Sequence, residues 1–291
     1  MRASTFMGGV TVLILILSAV VSVLILAYPL MLFPETEKPK ETFEYVMLRG
    51  EAPEVESVLI NLKVENGAVK LSFAEDENLT YKITFKYGVG GSKPTVNQTI
   101  AGSLLAVSAQ LKNGEAKVVL GSGYLYDLNI LLMAGGFSTI LDENCHIRNL
   151  RIAILSGGGV VNLRSGFEVE NANIVVDSGG LILNVNVGSL SRSSNLYVNV
   201  SRGGIIIPPI KVGSGVGFRV EAKVSSGGIT LDSTGLKVIE QTQTSCAAQT
   251  FGYELAKAKI NLKVEVLNGG AIINKRFLPG FTPFRALTVF R

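Results

Sequence analysis

From Gly135 onward, six Gly-Gly pairs begin at Gly135, Gly157, Gly179, Gly203, Gly227 and Gly269, at intervals of 22, 22, 24, 24 and 42 residues. A period of this length marks a fold built from stacked repeats. Alignment on the first glycine of each pair produces columns. Three positions before it stand Leu132, Ile154, Val176, Val200, Val224 and Val266. Five before stand Ile130, Ile152, Ile174, Val198, Ala222 and Val264; seven before stand Leu128, Leu150, Ala172, Leu196, Val220 and Leu262. Every one is aliphatic, and in the later repeats the intervening residues are polar, as in Arg219, Glu221 and Lys223. That alternation describes a strand with one buried face. A second strand follows each pair, with Thr139, Val161, Leu183, Ile207, Leu231 and Ile273 four positions after the first glycine. Glycine suits the corner between the two, where a sharp turn or a close backbone approach tolerates no Cβ.

One such repeat cannot bury its own apolar face, whereas stacked repeats can. The expected fold is all-β: a β-solenoid of 22–24-residue two-strand repeats over residues 128–275. A β-sandwich would not place one side-chain class in one column six times. Both ends of a stack expose unpaired strand edges and need caps. Residues 43–127 are strand-rich and read as an irregular N-terminal β cap or divergent rungs. Residues 276–291 carry Pro279 and Pro283 and read as a C-terminal cap. Ile60-Asn61-Leu62-Lys63-Val64-Glu65 reappears as Ile260-Asn261-Leu262-Lys263-Val264-Glu265, and each copy runs on into an Asn-Gly turn.

The segments Ser156–Leu163, Asp177–Leu183 and Ser225–Leu231 share a Ser-Gly-Gly-hydrophobic pattern. It resembles the repeats of the putative adhesin family, prokaryotic β-solenoid domains that are often membrane-anchored. The resemblance covers about residues 128–275. It implies the fold and a surface setting, and it brings no catalytic residues. This chain departs from it in its longer last repeat.

Hydrophobic residues make up 47% of the chain and charged ones only 17%, against roughly 25% charged in an ordinary soluble domain. Part of that imbalance is local, because residues 3–34 carry no charge. At about 1.5 Å rise per residue, the apolar run Val10–Phe33 is long enough to cross a bilayer core of about 30 Å. Residues 1–33 are therefore expected to be an uncleaved transmembrane signal-anchor, since no small-x-small cleavage site follows the run. Residues 34–42 read as a charged, proline-flanked linker. The short N-terminal tail places the N-terminus inside and the large domain outside the cell membrane. Three sequons, at Asn78, Asn97 and Asn199, are glycosylation candidates in an exported domain. Arg2-Ala3-Ser4 loosely resembles a class III leader, which would make the chain a pilin-like subunit.

The rarer residues restrict chemistry. One His and two Cys leave too few ligands for a usual zinc site. Cys145 and Cys246 fall in corners about 19 Å apart on a sequence-ordered stack, beyond disulfide reach. Cys145 and His146 are adjacent on an extended segment and face opposite ways, so they cannot act as a nucleophile–base pair. Gly213-Ser214-Gly215-Val216-Gly217 precedes a strand, not the helix a dinucleotide loop requires. No catalytic residue, metal or cofactor is expected. Beyond the anchor, 26 basic residues face 23 acidic ones without a basic run, which argues against a nucleic-acid partner.

Two features remain as candidate binding surfaces. The last interval exceeds a normal repeat, and the excess at 233–255, including Gln243 and Gln249, reads as a corner insertion. An outward column, Ser138, Val160, Ile182, Ile206, Thr230 and Ile272, is largely apolar, with Ile182, Ile206 and Ile272 as its strongest members. The expected function is non-enzymatic: a membrane-anchored surface protein serving adhesion or structure through a surface glycan, a protein partner or self-association. The alternatives are a pilin-like filament subunit and, further off, a carbohydrate-binding or carbohydrate-active β-helix.

Overall fold

The computed structural model describes residues 40–275. The expected anchor at 1–33, most of the linker and the C-terminal cap at 276–291 lie outside the described residues. Among the described residues no helix is long and apolar enough to cross a membrane. They form one mixed sheet of fourteen strands and two single 3-10 turns.

Eight long strands build the body: β2 (Ser57–Phe73), β5 (Leu104–Leu120), β6 (Leu125–Leu141), β7 (His146–Arg164), β8 (Glu168–Val187), β9 (Ser194–Ile207), β11 (Val216–Leu231) and β14 (Ala258–Ile273). They pair in parallel in the order β5-β2-β6-β7-β8-β9-β14-β11. Each has two arms separated by a glycine, and these glycines align across the ladder as Gly114, Gly67, Gly135, Gly157, Gly179, Gly203, Gly269 and Gly227. Their φ angles run from +129° to +147°, a region that side chains rarely adopt. A Cβ on Gly179 would also sit 1.5 Å from the Gly157 carbonyl oxygen, and one on Gly135 would sit 1.7 Å from that of Gly67. Conformation and space therefore both demand glycine.

All eighteen aliphatic residues of the three sequence-derived columns are 5% exposed or less. Inward residues of both arms belong to one core, so alternation along each strand becomes continuous apolar ladders across eight strands. Seven spacings of about 4.8 Å make the ladder roughly 34 Å tall.

Chain order and ladder order differ at both ends. The strand β2 is followed outward by β5, and the chain then returns to place β6 on the other side of β2. At the far end β14 inserts between β9 and β11. Val200 and Val224 thus share a column, as the alternation requires, but Val266 stands between them. The two copies of the Ile-Asn-Leu-Lys-Val-Glu hexapeptide occupy equivalent places, each one strand in from an end.

Antiparallel strands finish the ladder. The first arm of β5 pairs with β4 (Thr95–Ala101) and its second arm with β3 (Leu79–Gly88). The strand β3 in turn pairs with β1 (Lys40–Leu48), which begins inside the segment read as linker. At the other end the insertion forms β12 (Leu236–Gln241) and β13 (Ser245–Thr250), and β13 covers the first arm of β11. The short β10 (Lys211–Val212) pairs in parallel with the end of β8 at Asn186 and Val187.

Candidate functional site

The outer face of the first arms is polar and concave. A cleft of about 660 Å³ lies on β7, β8, β9, β14 and β11, closed at one end by Tyr253 of the insertion. Two rows of side chains form its floor. One row is Asn149, Asn171, Asn195, Asn261 and Arg219 on successive strands; the other is Arg151, Asn173, Tyr197, Lys263 and Glu221. Register alone creates these rows, since in-line pairing of parallel strands repeats each position about every 4.8 Å.

Hydrogen bonds fix the rim. Asn149 donates to Asp127 (2.9 Å) and Asn261 to Asn195 (3.1 Å). The Tyr253 hydroxyl donates to Asn261 Oδ1 at 2.5 Å, and Lys259 lies 4.9 Å above its ring. Burial pushes the Tyr253 hydroxyl above its ordinary pKa. The Tyr197 hydroxyl donates to Glu265 at 2.6 Å and Lys263 pairs with the same carboxylate at 2.9 Å. Those two contacts hold Glu265 below the usual carboxylate range, and the carboxylate raises Lys263. Arg219 pairs with Glu221 at 2.6 Å.

The sequence-derived candidates are distributed rather than gathered. Ile182, Ile206 and Ile272 align on adjacent strands of the second arm, on the outer face. Ile182 is only 7% exposed, and Ile206 and Ile272 are half-buried, because stacking at strand spacing closes most of each side chain against the next. Gln243 is exposed in the β12–β13 turn, where its carbonyl accepts the Ile229 N–H. Gln249 is buried opposite Arg219 on β13, with Oε1 lacking a partner among the described residues. Of the sequon asparagines, Asn78 and Asn97 are exposed, whereas Asn199 is half-buried in the ladder and donates to the Tyr197 hydroxyl. Cys145 and Cys246 are both buried and free. His146 meets Glu168 at 2.9 Å across β7 and β8, not Cys145. Among the described residues no three His, Cys, Asp or Glu side chains come together as metal ligands.

The cleft was missed by the alignment that found the strands. Eight positions before the corner glycines stand Asn149, Asn171, Asn195 and Asn261, a column visible in the same alignment once polar positions are read as well as apolar ones.

Two solved structures align with the chain. A structure described as a putative cell adhesion protein from Clostridium sporogenes ATCC 15579 covers 81% of this chain and 98% of its own, at 13% identity and a TM-score of 0.53. One described as a putative adhesin from Bacteroides fragilis NCTC 9343 covers the same shares at 11% identity and a TM-score of 0.31. The first shows a common fold. No family model and no curated protein matches the sequence.

Proposed function

We propose that this chain is a non-enzymatic surface protein with an adhesive or structural role. In this reading residues 1–33 anchor it in the cell membrane and 34–42 link the anchor to the sheet. The eight glycine-cornered strands form a β-solenoid displayed outside. The observation that carries the reading is the in-register ladder, which turns short sequence repeats into rows of outward side chains on a tall, rigid wall. Such a wall serves recognition by rows and clefts. The likeness to the Clostridium sporogenes structure described as a putative cell adhesion protein supports the same setting.

Protease added to intact cells should release a fragment beginning between residues 34 and 42, and cells lacking the protein should attach less well to their surface. Cleavage only after lysis would refute the topology, and unchanged attachment would refute the adhesive role. A filament-forming role is favoured by one observation, the second arm of β11, which no strand covers among the described residues. Processing after Ala3, with filaments seen by negative stain, would establish that alternative.

A further inference from the structure

We propose that the cleft on the first arms binds a carboxylate-bearing polysaccharide, with its acid group on Arg151 and a sugar ring on Tyr197. The inference rests on the surface reading above only for where the ligand is met; the site itself stands on geometry.

The first observation is charge. Three cations line the cleft, and two are neutralised within it, Arg219 by Glu221 and Lys263 by Glu265. Arg151 is exposed and has no carboxylate among the described residues. A free guanidinium in a concave site is suited to a carboxylate, which it can grip with two parallel hydrogen bonds.

The second is unsatisfied polarity. Many outward asparagines bond to one another or to the backbone: Asn184 to Asn162, Asn162 to the Thr139 carbonyl, Asn129 to Asn61. On β8, on one side of Arg151, two of them do not. The Asn171 and Asn173 side chains, exposed on β8, make no hydrogen bond to another described residue. Amides that alternate donor and acceptor at strand spacing match a run of hydroxyls. At the end wall, Arg219 leaves its Nε buried and unpartnered among the described residues. Such atoms are costly unless something else satisfies them.

The third is preorganisation. The Tyr197 ring is held by its bond to Glu265, with Lys263 5.5 Å from its centroid on the β14 side. Arg151 lies two strands away in the same row, at about 9.6 Å by strand spacing. The distance suits successive units of one extended polymer. A nucleic acid would need many more free cations.

The test titrates full-length protein in detergent with oligogalacturonate, oligoalginate, hyaluronate fragments and oligosialate, and with carboxyl-reduced oligogalacturonate. At least one acidic glycan should bind saturably, and the reduced polymer should not. Arg151→Ala should weaken binding about tenfold or more at unchanged Tm, since the side chain is exposed. Tyr197→Ala should weaken it most and Tyr197→Phe, which keeps the ring but loses its bond to Glu265, should weaken it less, while Lys117→Ala on the second arm should have no effect. The proposal is overturned if none of the four glycans binds at millimolar concentration, if Arg151→Ala binds as tightly as the parent, or if Lys117→Ala weakens binding equally. Cells that attach although the purified protein binds none of these glycans would refute this site and leave the adhesive role standing. Binding without any effect on attachment would do the reverse.

Discussion

At one end of the ladder both arms of the last parallel strand are covered, β4 bonding to the first arm of β5 and β3 to the second. At the other end β13 covers only the first arm of β11, along Arg219–Lys223. Burial follows this difference. On the sealed end Tyr81, Ile83, Phe85 and Tyr126 are 1% exposed or less, and the Tyr126 hydroxyl donates to the Thr80 and Gly121 carbonyls. On the half-sealed end Ile229 and Leu231 are only half-buried, although their columns are buried in the neighbouring strand at Ala271 and Ile273. An apolar column protects its members only when it has a neighbour on each side. The end of a repeat array is a matter of what the chain does next, not of the repeat.

The largest effect should come from the corners, which are equally strict at both ends. Gly67→Ala and Gly269→Ala would place a Cβ 1.7 Å and 1.5 Å from the neighbouring carbonyl oxygens, at φ +141° and +147°. Both variants should lose the cooperative unfolding transition seen by circular dichroism. Gly102→Ala and Gly235→Ala, in open turns at φ +59° and +76°, should cost only about 1–2 kcal/mol. A folded Gly269→Ala protein beside an unfolded Gly67→Ala one would mean that the half-sealed end is loose down to its second strand.

Next come the caps. Phe85→Ala removes a fully buried core ring on β3, opposite Ala116 of β5, and should cost about 3–5 kcal/mol in chemical denaturation. Leu231→Ala, at a half-buried position, should cost about 1 kcal/mol. Equal losses would show that the second arm of β11 is covered in solution.

Hydrogen exchange reads the same contrast without mutation. Amides of Glu115–Leu120, between β2 and β3, should exchange with the global unfolding of the domain. Those of Ser226–Leu231, bonded to β14 on one side and held on the other only where Ile229 N–H meets the Gln243 carbonyl, should open locally and faster. Matching protection would erase the distinction between the ends.

The smallest effect concerns acid. Glu44 on β1 accepts from Lys82 (3.0 Å) and Thr84 (3.2 Å), and the Lys82 hydrogen bond holds its carboxyl below the ordinary 4.5. A carboxylate with a lowered folded pKa stabilises fully above its unfolded value and loses that contribution as pH falls through the folded one. Exchange in β1 should therefore rise modestly as pH drops below about 4.5, relative to neutral pH and after correction for intrinsic rates. Glu44→Gln should abolish that change.

Much of the ladder was legible because stacking forces one side-chain class into each column, and alternation is a local property. The strands β2 and β5 were harder to recognise as members because they carry Asn-Gly rather than Gly-Gly. The physical reason is visible at the second glycine. A Cβ at Gly136, beside β2, would meet nothing within 4 Å, so Ala68 and Glu115 are tolerated at that end. A Cβ at Gly158 or Gly204 would lie 2.8 Å from the Gly180 or Gly270 oxygen, so the second glycine is required on those strands, whereas at Gly180 the nearest oxygen would be 3.6 Å away. The cleft had a column of its own in the asparagines, but Tyr253 reaches it only through the fold of the insertion.

By itself the sequence determined which residues face inward, where each strand turns and how far apart equivalent positions recur, because those depend on the period of the side chains and on the absence of a Cβ at the corners. Tertiary structure alone decided the neighbours. A parallel strand accepts any strand with the same column pattern, so β14 can lie between β9 and β11 as readily as after β11. What chose between those orders was the route of the connecting chain. The insertion between β11 and β14 forms β12 and β13 on the outer edge of β11, and with that edge occupied the chain completes the ladder from the inside.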